Sequence, residues 1–256
     1  MLDLNAPVHK YVPEASSVFD KVTVQQCLDM TSGLKYDDNT PAYRAAAGWS
    51  PLEDSMPAKN LWDFLSTVGG PNVAPGSEWN YSSVNTDLIG WVLERASGKK
   101  LADLISELIW KPMGAQSDAF ITVDAEGHPR AAGGFCASVL DVARFGQLIV
   151  DGGSDIVPLA WLDTMLRDSD QEIFARGTWA PAFKDHFKSM AYKSCWLIDE
   201  ASETYCALGV YGQQLMVDRK NGIVLAKTAS QPDPVDFSKV VVTVGAFKEF
   251  QRILLA

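Results

Sequence analysis

Apolar residues recur at helical spacing through the middle of the chain. Val84, Leu88, Trp91, Val92 and Ala96 lie three or four apart and predict a helix over about 84–96. Leu101, Leu104, Ile105, Leu108 and Ile109 repeat the pattern after the Ser97-Gly98 break, and Val142, Phe145, Leu148 and Ile149 repeat it after Ser138 and Asp141, up to Gly152-Gly153. Thr23 with Gln26 reads as a capping box for a short helix ending near Gly33. A further helix is expected around 58–67, and 35–57, with little periodicity, reads as a long ordered loop. The last third changes character. Residues 191–198, 205–218 and 222–230 are rich in β-branched and aromatic residues, Asn221-Gly222 is a turn signal, and 238–255 returns to helix. Helices, then a meander of strands, then a closing helix predict an α+β fold on an antiparallel sheet.

Composition narrows the function classes. The 256 residues are 47% hydrophobic, enough for a substantial core, and 22 basic against 32 acidic residues give a net charge of −10. Such a surface repels phosphate backbones and anionic lipid, so neither nucleic acid nor membrane is an expected partner. No apolar run reaches the roughly 18 residues of a membrane span. The opening MLDLNAPVHKYVPE has neither a basic nor an apolar signal region, so a cytoplasmic location is expected. Cys27, Cys136, Cys195 and Cys206 show no paired or zinc-like spacing with His9, His128 or His186, and are expected to be buried small residues. No metal and no cofactor is implied. G-x-S-x-G, H-E-x-x-H and the phosphate-cradling glycine loop are absent from the sequence.

Four local patterns, in order, carry a resemblance. VTVQQCLDMTSGL is similar to a "TSG" segment, and Tyr81-Ser82-Ser83-Val84-Asn85-Thr86-Asp87 to a tyrosine motif on a loop before a helix. GGFCASVLDVARFGQLIVDGG resembles the helix following a helical lobe, and ALGVYGQQLMVDRKNGIVLAK a strand beside an active site. Together they resemble class C-type serine hydrolases of the β-lactamase/penicillin-binding-protein superfamily, and within it 6-aminohexanoate-dimer hydrolases and related esterases. The resemblance implies one β-lactamase/transpeptidase-like domain over 1–256, with a helical lobe at about 20–170 and a sheet lobe at about 171–256. It implies hydrolysis of a small-molecule ester or amide through an acyl-serine intermediate.

In that family a tyrosine accepts the nucleophile's proton and a strand supplies one oxyanion N–H. By position these are Tyr81 and Val210, the residue after Gly209. An ordinary tyrosine titrates near 10, so its use as a base requires nearby cations, which the family draws from the lysine of S-x-x-K. Tyr36 and Trp49 on the long loop, with Ser83 and Gly209, complete the candidate substrate contacts. Gln213 reads as structural, and the neighbours Asp37 and Asp38 as solvated surface.

Three departures matter. Ala207 stands where a lysine or histidine is usual, and Ser83 where asparagine is usual. The S-x-x-K match Ser97-Gly98-Lys99-Lys100 lies in a helix-breaking turn, not at the start of a buried helix. The nucleophilic segment is therefore expected to precede Met1, leaving this chain inactive alone. A non-catalytic homologue is the first rival reading. A penicillin-binding or β-lactam-hydrolysing enzyme is the second, and Ala207 argues against it because a cation there would receive the β-lactam carboxylate.

Overall fold

A computed structural model describes residues 2–70 and 72–256, which divide into two compact units. The first comprises residues through Leu108 together with Ala119–Cys136, and the second Ile109–Asp118 with Ala137–Ala256.

The first unit holds helices α1 (Val24–Leu28), α2 (Pro41–Ala46), α3 (Leu61–Thr67), α4 (Ser83–Ser97) and α5 (Leu101–Ile105), with the short pair β1 (Phe120–Ile121) and β2 (Phe135–Cys136). The Thr23/Gln26 capping box forms, the Thr23 N–H donating to Gln26 Oε1 at 2.9 Å and the Gln26 N–H to Thr23 Oγ1 at 3.2 Å. It opens a helix that ends at Leu28, short of the expected Gly33. The 35–57 stretch is not all loop, because α2 lies within it with Pro41 in its first turn. Six helical residues are too few to display a 3.6-residue period. Beyond Ile105 the expected regular helix gives way to a π-helical turn over Ser106–Trp110. The core gathers Val84, Leu88, Ile89, Trp91 and Val92 of α4 against Phe19, Leu34, Tyr43, Leu61, Phe64 and Leu65.

A buried ion pair ties 119–136 to this unit. Asp87 Oδ2 on α4 accepts from the Tyr43 hydroxyl at 2.6 Å and from Arg130 Nη2 at 3.2 Å, while Oδ1 accepts from the Ala132 N–H at 2.8 Å. Arg130 also donates to the Tyr43 hydroxyl at 2.8 Å. Burial, then the charge of Asp87, pushes the Tyr43 phenol well above its ordinary pKa. Removing one member of such a pair typically costs about 3–5 kcal/mol, because the other charge stays buried.

The second unit holds α6 (Val139–Val150), α7 (Leu159–Arg167), α8 (Gln171–Ala175), α9 (Ala180–Phe183), strands β3 (Met190–Lys193), β4 (Trp196–Asp199), β5 (Thr204–Gly209), β6 (Gln213–Asp218) and β7 (Ile223–Lys227), and α10 (Phe237–Leu254). Among the described residues these strands form one antiparallel meander in chain order. The runs expected at 191–198 and 205–218 are each a hairpin of two strands. Their turns place Ser194, Cys195 and Tyr211 at positive φ, and none of these residue types announces such a turn. The Asn221-Gly222 turn joins β6 to β7 as expected, with the Asn221 N–H donating to Asp218 at 3.0 Å.

Successive residues of β6 face opposite sides. Leu215 and Val217 pack with Ile149, Leu162, Met165, Leu166 and Tyr205 on the α6–α7 side. Gln214 donates to the Val240 carbonyl of α10 at 3.4 Å, on the other side. Gly146 lets α6 approach the sheet, since a Cβ there would stand 2.6 Å from Val224 Cγ1. Of the cysteines, Cys27 and Cys206 are buried as expected, whereas Cys136 is exposed and Cys195 partly so. Burial pushes the Cys206 thiol up to about 12. Among the described residues no helix is long and apolar enough to cross a membrane.

Asp141, in the first turn of α6, binds 109–118 into this unit. Its oxygens accept from the Gln116 N–H at 2.9 Å, the Ser117 N–H at 3.1 Å, the Ser138 hydroxyl at 2.7 Å and Arg144 Nη1 at 2.8 Å. The Gln116 N–H first, then the Ser138 hydroxyl and Arg144, hold its carboxyl down at about 2. A depressed carboxyl stabilises the fold above its unfolded value near 4, and that stability is lost as pH falls toward 2. Asp141→Asn is therefore expected to melt lower than wild type at neutral pH. Its melting temperature should also fall less between about pH 5 and about pH 2.5, which a calorimetric pH series checks.

Candidate active site

Tyr81 lies on the first unit, half-buried, two residues ahead of α4. Ser82 is the extended N-cap residue and Ser83 the first helical one. The backbone here is anchored to two other segments. The Asn80 N–H donates to the Met30 carbonyl at 2.9 Å, and Asn80 Nδ2 to the Leu34 carbonyl at 3.3 Å, so the TSG segment underlies the turn. The Asp38 carboxylate accepts the Ser83 N–H at 2.9 and 3.1 Å and lies 3.5 Å from the Ser82 hydroxyl.

Asp38 corrects the sequence reading. Asp37 is exposed as expected, but Asp38 is half-buried and caps α4, where a negative charge is favoured by the helix dipole. Burial pushes its carboxyl up, against the opposing pull of its hydrogen bonds from Ser83; Asp87 adds to the rise and Arg130 opposes it. Sequence carried no signal for this, because the helix start that Asp38 caps lies 45 residues further along the chain.

Ser83 thus stands beside Tyr81 on one fixed turn. Tyr36 and Trp49 make their contacts elsewhere in the unit. The Tyr36 hydroxyl pairs with Thr40 at 2.6 Å, and its ring meets Tyr43 and Phe64 edge-on, at centroid separations of 6.1 and 5.5 Å. The Trp49 ring lies 4.4 Å from the Arg130 guanidinium.

Gly209 and Val210 belong to the second unit. Gly209, paired with Gln213, closes the β5–β6 ladder, and Val210 is the next residue, 37% exposed. Gln213 is structural as expected. Its side chain accepts from the Ala229 N–H at 3.1 Å and donates to the Ala229 carbonyl at 2.6 Å, gripping the segment after β7 as a neighbouring strand would. Ala207 lies inside β5, opposite Leu215.

Neither S-x-x-K match within the chain has nucleophile geometry. Ser97 ends α4, its hydroxyl donating to the Leu93 carbonyl at 2.7 Å, and Lys100, the lysine of the match, lies 3.9 Å from the Glu94 carboxylate. A second match to the spacing is Ser32-Gly33-Leu34-Lys35. Gly33 at φ 87 breaks any helical turn between its ends, the buried Ser32 oxygen accepts the Leu34 N–H at 3.3 Å, and Lys35 pairs with Glu78 at 2.8 Å.

The Asp38 cap yields a stability prediction. Asp38→Ala leaves the Ser83 N–H without its acceptor and is expected to cost roughly 0.5–2 kcal/mol in urea denaturation. Asp38→Asn keeps an acceptor oxygen and removes the buried charge, so it should lie within about 0.5 kcal/mol of wild type or above it. Equal losses in the two variants would contradict the capping role.

Comparison with known proteins places these features. The beta-lactamase family signature matches residues 1–242. The 6-aminohexanoate-dimer hydrolase of Paenarthrobacter ureafaciens is 31% identical over 245 residues, covering 91% of this chain and 61% of its own length. Esterase EstB of Burkholderia gladioli is 33% identical over 135 residues, 49% of this chain and 34% of the esterase. A solved structure from Bacillus anthracis, provisionally named a 6-aminohexanoate-dimer hydrolase, superposes with a TM-score of 0.80 at 25% identity, covering 97% of this chain and 67% of that one. The chain therefore spans about three fifths of the length of its Paenarthrobacter relative. A class C beta-lactamase shares the fold, with a TM-score of 0.64. On the strength of the family signature and the similarity over most of this chain, it belongs to the beta-lactamase family and has its β-lactamase/transpeptidase-like fold.

Proposed function

We propose that the chain carries the proton-transfer and oxyanion parts of a serine hydrolase acting on a small ester or amide. The nucleophile is the serine of an S-x-x-K segment outside residues 1–256. The observation that carries this reading is the turn at Tyr81, anchored to Met30, Leu34 and Asp38 directly before α4. General-base catalysis requires a donor or acceptor held in place before the substrate arrives, and rigid backbone around a tyrosine meets that need.

The chemistry follows in two halves. The serine oxygen attacks the substrate carbonyl carbon while Tyr81, as phenolate, takes its proton. The Val210 N–H, with a second donor, stabilises the developing oxyanion. Collapse expels the alcohol or amine, which receives the proton from Tyr81, and leaves an acyl-serine. Water then attacks the acyl carbon, Tyr81 again accepting and returning one proton. Tyr36, Trp49, Ser83 and Gly209 are the proposed substrate contacts. An amide between short aliphatic units is the preferred substrate, on the name of the Paenarthrobacter relative, and simple esters come next, on that of the Burkholderia one.

A non-catalytic homologue is the second reading, favoured by Ala207 and by the poor geometry of both S-x-x-K matches. One experiment separates the two. Residues 1–256 treated with a fluorophosphonate probe should show no labelled serine by mass spectrometry, and a label on any serine would contradict the nucleophile assignment. Fusing the S-x-x-K segment of the Paenarthrobacter relative to the chain should create probe labelling and ester hydrolysis. In that fusion Tyr81→Phe should lower kcat by about 10²–10⁴-fold with little change in melting temperature. A well-folded fusion with neither labelling nor hydrolysis would favour the non-catalytic reading.

A further inference from the structure

The β5–β6 hairpin holds an aromatic residue in a conformation that its residue type disfavours. The loop is Val210–Gly212, closed by the Gly209–Gln213 pair. Its last two residues are both left-handed, Tyr211 at φ 59, ψ 24 and Gly212 at φ 88. For Gly212 the residue type suits the place, since a Cβ would lie 2.4 Å from the Gln231 amide nitrogen. For Tyr211 it does not, because a bulky L-residue at positive φ is strained.

The surroundings enforce that conformation. The Tyr211 N–H donates to the Pro234 carbonyl at 2.9 Å, and its own carbonyl accepts the Gln231 N–H at 3.1 Å. The Gln213 amide lies 3.3 Å from the Val210 carbonyl and 3.4 Å from that of Tyr211, while holding Ala229. Burial does not offset the strain, because Tyr211 is 39% exposed. A strained residue fixed by several independent bonds, with its side chain left at the surface, points to a use for that side chain.

We propose that Tyr211 is a substrate-contacting residue whose ring packs on the unbranched methylene chain attached to the scissile carbonyl. The proposal rests on reading Val210 as the oxyanion donor. If the Val210 N–H holds the carbonyl oxygen, groups bonded to that carbon lie within a few ångströms of the next residue. A phenol ring offers those methylenes a flat apolar face, and a hydroxyl for a polar group further along. Fixing the backbone that carries the ring lowers part of the entropic cost of binding.

The test uses residues 1–256 labelled with ¹⁵N and with ¹³C-tyrosine, titrated with N-methylhexanamide and followed by NMR. The Val210 amide and the Tyr211 ring should shift together along one saturation curve. Tyr211→Phe should bind the probe as wild type does. Tyr211→Gly should bind it about tenfold more weakly, yet melt no lower, because glycine accepts positive φ without strain. N-methylacetamide, which lacks the chain, should bind wild type and Tyr211→Gly alike. If Val210 shifts while the Tyr211 ring does not, or if Tyr211→Gly keeps full affinity for the hexanamide, the proposal is overturned and the Val210 reading stands. If neither resonance moves, the Val210 reading fails and takes the proposal with it.

Discussion

The buried carboxylate of Asp87 is the constraint on which the first unit depends. It lies within α4, accepts bonds from Tyr43, Arg130 and the Ala132 N–H, and is itself fully buried. A charge in that position is tolerable only while every partner is present. The 119–136 segment therefore belongs with α4 although the ten residues 109–118, which belong to the second unit, intervene. Asp141 does the same for 109–118 in the second unit, where two backbone N–H groups, a hydroxyl and a guanidinium converge on one carboxylate. Two aspartates thus settle a chain crossing that hydrophobic burial alone, being non-directional, would leave loosely defined.

The turn that carries Tyr81 inherits this rigidity. Its helix is fixed internally by Asp87 and capped externally by Asp38, whose carboxyl is pushed up by the Asp87 charge and down by that of Arg130. Met30 and Leu34, on either side of the TSG segment, add carbonyls that accept the Asn80 N–H and side-chain amide. A tyrosine intended to move protons needs a fixed position more than it needs a special local sequence. The anchors that provide it, Met30 and Leu34 on one segment and Asp38 on another, are all remote from Tyr81 in sequence.

On the second unit the same division of labour recurs with different chemistry. The sheet supplies register up to Gly209, and there the ladder ends. Beyond it, conformation is set by side-chain amides and by the segment after β7, with Gln213 serving as an acceptor and donor pair for Ala229. Regular structure thus delivers Val210 to the end of a strand, and irregular structure decides how the next two residues are presented.

The sequence by itself determined the elements that bury a continuous apolar stripe or carry a strong local signal. These are α4, α6, α10, the Thr23 capping box and the Asn221-Gly222 turn, together with the α+β class and the family likeness. Each is specified by side chains within one or two turns of each other, so spacing along the chain is enough. What only the tertiary structure decided depended on remote partners. The Ser194-Cys195 pair turns left-handed between the paired strands β3 and β4, and Tyr211 is held left-handed by its bonds to Pro234 and Gln231, so 191–198 and 205–218 each divide in two. Asp38 is half-buried against the start of α4 and within the field of Arg130, some ninety residues away, and so ceases to be a solvated neighbour of Asp37. Ser32 and Lys35 match a catalytic spacing in letters, but that spacing has meaning only on a helix. Gly33 turns the backbone the other way, where Leu34 pairs with Asn72 and the Gly33 carbonyl accepts the Val73 N–H.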